Sequence, residues 1–77
     1  MQRERIYHVY TETRLYGYII PLSLDIWLCP TGPKLADILE IKKRAAKSIF
    51  KTTGILISFN DVNVINIIPL NEYRTLG

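Results

Sequence analysis

Three side chains in the 77 residues could in principle do covalent chemistry together: Cys29, His8 and Asp25. A cysteine becomes a nucleophile when an imidazole takes its proton and a carboxylate orients that imidazole. Cys29 also stands just before a helix start, where the helix dipole favours a thiolate. Nothing in the spacing of the three, however, points to an assembled set. The segment Cys29-Pro30-Thr31-Gly32-Pro33-Lys34 could hold an anion on the first helical amides. Its two prolines remove two of those donors, and it contains no arginine. One cysteine excludes an intrachain disulfide, and one cysteine with one histidine cannot furnish a zinc site. The chain has no phosphate-cradling glycine loop, no metal-ligand pair and no informative pair of carboxylates. The expectation is a protein that is not an enzyme, with no catalytic residues, no cofactor and no metal.

The element that must position everything else is a helix expected from Pro33 to about Thr52. Proline suits the first helical position, with Gly32 or Thr31 as the cap. Gly54 can take the left-handed conformation that ends a helix. Between them Leu35, Ile38, Leu39, Ala45, Ala46, Ile49 and Phe50 recur at the spacing of a one-sided helix. Asp37 and Glu40 come early while Lys42, Lys43, Arg44, Lys47 and Lys51 come late, which complements the helix dipole. With Lys34 this segment holds six of the ten basic residues and two of the seven acids. It therefore carries +4, and the rest of the chain −1. Lys43, Lys47 and Lys51, with Arg44 beside them, form a basic stripe able to meet phosphates. The same stripe is what a solvated helix face ordinarily looks like.

Strands are expected on both sides of this helix. Ile6 to Thr13 is rich in β-branched and aromatic types, with Tyr7 and Val9 on one side and Ile6, His8 and Tyr10 on the other. A bend is expected at Thr11 to Arg14. From Tyr16 to Leu28 every even position is apolar or aromatic, a period of two with one fully apolar side. One strand of that length would run about 40 Å, so either a bend near Gly17 or Pro21 or projection into a partner is expected, and Pro21 marks an edge or bulge. After the helix, Ile55 to Phe59 and Val62 to Ile68 flank Asn60-Asp61, which reads as a two-residue hairpin. Its register places Leu56, Ile65 and Ile67 together on the face turned away from the helix.

The resulting fold class is α+β: a single helix packed on a small antiparallel sheet of four or five strands, in the order β-β-(β)-α-β-β. Length implies one domain over residues 1–77, with 1–4 and 71–77 frayed or peripheral. A chain this short buries only about 60–65% of its unfolded surface, and oligomerisation is the stabilising device its composition leaves open. A hydrophobic fraction of 48% argues against disorder. No signal peptide or spanning segment is visible, and a lone free cysteine fits a reducing setting, so a cytoplasmic location without membrane contact is expected. The chain is rich in Ile, Lys, Asn and Tyr and has only three alanines, which suits an AT-rich source such as a phage or mobile element.

One helix can cover only one face of a sheet. Apolar residues on both strand faces therefore imply contact with another chain. The functional expectation is a small, self-associating, macromolecule-binding protein, a regulator or inhibitor acting through protein–protein contacts, with a homodimer as the first oligomer. Its expected interface residues are Tyr16, Tyr18, Trp27, Leu56, Ile65 and Ile67, because tyrosine and tryptophan bury area while keeping a polar handle. The rival is a nucleic-acid-binding regulator using Lys43, Arg44, Lys47 and Lys51, with Tyr7, Tyr10, Tyr16 and Tyr18 as a stacking platform for a single strand.

Overall fold

The computed structural model describes residues 2–76 and shows three strands and one long helix. The order is β1 (Gln2–Leu15), β2 (Tyr18–Leu28), α1 (Leu35–Thr53), a single 3-10 turn (Phe59–Asp61) and β3 (Val62–Leu76). All pairing is antiparallel, with spatial order β2-β1-β3. The α+β class and the single covering helix hold, whereas the sheet has three strands in β-β-α-β order in place of four or five.

The difference comes from strand length. β1 and β2 pair without a break from Arg5↔Leu28 to Leu15↔Tyr18. No bend occurs at Thr11 to Arg14, because Thr11 and Thr13 face the helix and are buried. The chain reverses instead at Tyr16 and Gly17, whose φ values of 50° and 80° make the two-residue turn that matches strand twist. Gly17 takes this conformation without a Cβ penalty; Tyr16 does not, and such a residue gives little sequence warning of a turn. Pro21 lies in β2, an edge strand, where its missing N–H is tolerated.

The expected hairpin around Asn60-Asp61 does not form. Residues 55–58 are not in a strand, and Asn60 and Asp61 lie inside the 3-10 turn. Ser58 Oγ accepts the Asn60 amide, and Ser58 O accepts the Asp61 amide, so local bonds tighten the chain there. Val62 then pairs with Thr13 of β1. The long β1 offers partners for eleven residues of β3, far more than a five-residue hairpin arm could. The ladder continues through Arg5↔Tyr73, Glu4↔Arg74, Arg3↔Thr75 and Gln2↔Leu76, so residues 2–5 pair with 73–76, and residues 71–76 stay exposed. Met1 and Gly77 lie outside the described residues.

Helix α1 starts at Leu35, two residues later than Pro33. Asp37 decides this: its carboxylate accepts the Lys34 amide at 2.8 Å, fixing Lys34 in extended conformation as the cap. Gly54, at φ 75°, ends the helix and donates to Phe50 O. Ile41, Ala45, Ala46 and Ile49 form the buried face. Ile41 packs with Tyr7, Val9, Ile26 and Leu28, while Ala45 and Ala46 meet Val62, with Leu22, Leu24 and Phe59 around them. The two alanines let the helix come close to the sheet, and full burial of an isoleucine such as Ile41 contributes about 1.5–3 kcal/mol. Among the described residues no element covers the other face of the sheet.

Candidate interaction surface

Residues with even numbers in β1 and odd numbers in β2 point away from the helix. Their partners on β3 follow from the register: His8↔Ile68, Tyr10↔Asn66 and Glu4↔Arg74. The uncovered face thus gathers Ile6, His8 and Tyr10, Ile19 and Trp27, and Ile68 from three strands. Tyr10, Ile19 and Ile68 are 44%, 53% and 38% exposed. At its centre His8 Nδ1 meets Asp25 Oδ1 at 2.5 Å across β1 and β2, and the His8 ring stands edge-on to Tyr10 at 4.7 Å. Towards the loop end lies a shallow concavity of about 490 Å³ lined by Tyr10, Glu12, Pro21, Ser23, Ile65 and Asn66. At the opposite end Arg74 lies over the Trp27 ring at 4.6 Å, and Glu4 holds the same guanidinium at 2.7 Å. Trp27, Glu4 and Arg74 belong to β2, β1 and β3, so this clasp ties all three strands.

The expected interface residues do not form one patch. Tyr16 and Tyr18, at 87% and 76% exposure, sit at the β1–β2 turn. Trp27 is half-buried under Arg74, about 30 Å along β2 from Tyr18. Leu56 is 85% exposed in the segment after the helix. Ile65 and Ile67, expected side by side, are separated by a bulge. The register steps from Tyr10↔Asn66 to Thr11↔Val64, leaving Ile65 as the extra residue at the edge. Ile65 is 56% exposed, whereas Ile67 is turned under the helix against the core. The four tyrosines are likewise divided: Tyr7 is buried on the helix side, its hydroxyl donating to Cys29 O at 3.0 Å. No sequence signal marks the bulge, but the parity of β1 was enough to place Ile6, His8 and Tyr10 together. Ile68 and Arg74 were hidden because their faces depend on two register breaks, the second between Arg5 and Tyr7.

The thiol and the imidazole are not neighbours. Asp25 pairs with His8, while Cys29 lies four residues further on, about 13 Å along the strand direction. Cys29 is exposed and contacts the Thr31 hydroxyl at 3.1 Å. That hydrogen bond holds its pKa below the ordinary thiol value, helped by the Thr31 backbone and the charge of Lys34. Among the described residues no group of three His, Cys, Asp or Glu could hold a metal ion. On the helix, Lys43, Lys47 and Lys51 are all exposed. Arg44 is engaged by Glu40 at 3.0 Å, and Lys43 Nζ leans over Phe59 at 5.7 Å. Among the described residues no helix is long and apolar enough to cross a membrane.

No protein-family model matches this chain, and neither a curated protein nor a solved structure is similar to it.

Proposed function

We propose that this is a non-catalytic, self-associating, macromolecule-binding protein that regulates or inhibits a partner protein through its uncovered sheet face. The observation that carries the reading is that face: three strands wide, uncovered, and mixing Tyr10, Trp27, Ile19 and Ile68 with the His8–Asp25 pair. Aromatic and aliphatic anchors ringed by polar groups are the composition of a protein-binding surface. Matched capture with the wild-type chain and a Tyr10→Ser/Ile68→Ser variant tests it. Both positions are exposed, so the variant keeps the fold. A protein retained by the first and lost from the second supports the reading; identical retention profiles contradict it. Light scattering tests self-association, which a compact monomer at micromolar concentration would refute.

A second reading has a specific observation behind it. Lys47 and Lys51 are exposed and have no ion-pair partner among the described residues, on a helix carrying five of the ten basic residues. Duplex and single-stranded DNA and RNA titrated at two salt concentrations decide it. Steeply salt-dependent binding, lost in a Lys43→Glu/Lys47→Glu/Lys51→Glu variant, favours a nucleic-acid partner. Absence of binding to all of them removes it.

A further inference from the structure

The two long flanks of the molecule differ in a way that the uncovered face does not explain. At 3.6 residues per turn, Ile41 faces β1 and β2, and Ile38 and Lys42 face β3. Continuing round the helix past β3 come Leu35, Leu39, Ala46, Phe50 and Lys43. Ala46 against Val62 and Lys43 over Phe59 confirm that direction. Leu35, Leu39 and Phe50 are 84%, 42% and 46% exposed, and beside them on the edge of β3 Ile65 is 56% exposed. Between helix and strand runs an open groove of about 560 Å³, lined by Ile38, Lys42 and residues 63–67. The opposite flank, above β2, instead carries Asp37 and the Glu40–Arg44 ion pair.

We propose that the α1–β3 flank is where two copies of this chain associate about a two-fold axis. This rests on the self-association proposed above and gives it a location. The axis sets β3 antiparallel to its mate and α1 beside its mate, so Leu39, Phe50 and Ile65 of each copy face the same row on the other. Such a self-complementary contact is the usual form of a homodimer. The size is adequate. The molecule measures 44 × 21 × 20 Å, so a face along its length offers about 900 Å², against roughly 800 Å² per partner in a standard interface. No acidic side chain lies in the apolar row. Lys42 and Lys43 share the flank, and their long stems let the ammonium groups reach water at the rim. Pro69 and the two register breaks interrupt the outer edge of β3, so side chains rather than a continuous ladder hold the pair. The arrangement takes up the Ile65 margin of each concavity and leaves the centre of both uncovered sheet faces, around His8 and Tyr10, free for a partner.

The test is the mass of the full chain by sedimentation equilibrium, from micromolar to submillimolar, for four proteins. These are wild type, Leu39→Glu/Ile65→Glu, and two sheet-face controls, Tyr10→Ser on β1 and Ser23→Lys on β2. The expected result is a wild-type dimer of the 8.9 kDa chain, unchanged in both controls and dissociated in the Glu pair, with affinity down at least about 100-fold because two apolar contacts per copy are replaced by charged groups that association must desolvate. A wild-type dimer that persists in the Glu pair overturns this location while self-association stands. A wild-type monomer up to submillimolar concentration overturns both. Should circular dichroism show the Glu pair unfolded, Leu39→Ser/Phe50→Ser replaces it: a monomer supports the proposal and an unchanged dimer overturns it.

Discussion

Thr11 and Thr13 are neighbours in the same buried row and have opposite energetics. Thr11 Oγ1 donates to Leu22 O at 2.9 Å, whereas Thr13 Oγ1 is buried without a hydrogen-bond partner. Valine has nearly the same shape without the hydroxyl. Thr11→Val should cost about 1 kcal/mol, because it removes a made bond and leaves a carbonyl behind. Thr13→Val should stabilise by about 1 kcal/mol, because it removes a buried polar group that nothing satisfies. Urea denaturation of the two variants checks the opposite signs. Cys29 supplies a second residue-scale test. Since the Thr31 hydroxyl stabilises the thiolate, alkylation of Cys29 should rise at lower pH than for an ordinary thiol. Thr31→Val should move that profile to higher pH, read by the rate of iodoacetamide labelling; an unmoved profile would remove Thr31 as the cause.

At the scale of elements, the helix was the most legible part of the sequence. Its charge order and Gly54 are local signals, and both are where they were expected. The start moved, because Asp37 caps Lys34 through a contact three residues away, and the buried row turned towards Ile41, leaving Leu35, Leu39 and Phe50 exposed. Gly54→Ala would force a Cβ into a residue at φ 75°, and should destabilise by about 1 kcal/mol, measured by thermal melting. The strands were legible as strands but not as a sheet. Asn60-Asp61 between alternating runs carries a real turn signal, and a turn is there, yet it leads into β1's far side rather than back along residues 55–59. Local propensity specifies that the chain turns; which strand receives β3 is settled by the total length of pairing on offer.

The whole molecule is closed by its two ends. β1 begins and β3 finishes as one ladder, and the contact that spans the sheet is Arg74 between Glu4 and Trp27. Arg74→Ala should cost about 1 kcal/mol and shift Trp27 fluorescence to the red as the ring gains water, with the far-ultraviolet spectrum unchanged. An unshifted emission maximum would mean that the guanidinium does not cover the ring. The candidate surfaces were legible in part. Alternation grouped His8 with Tyr10 on one side of β1 and set Trp27 opposite the fully apolar side of β2, without telling which side the helix covers, and the sum of apolar residues implied more surface than one helix hides. Ile67 was misplaced, Leu39 and Phe50 were expected on the covered side of the helix and are exposed on its flank, and Ile68 was not singled out, since a one-residue bulge reverses strand parity without altering composition, and a flank is apolar only relative to what lies beside it. The sequence by itself determined one amphipathic helix, strands before and after it, and an apolar excess, because these follow from periodicity within a single segment. Only the tertiary structure decided that three strands rather than five share the sheet, that Thr13 is buried without a partner, and that the exposed apolar rows run along the α1–β3 flank. Those outcomes depend on register between residues as much as 74 positions apart, and no local pattern encodes a register.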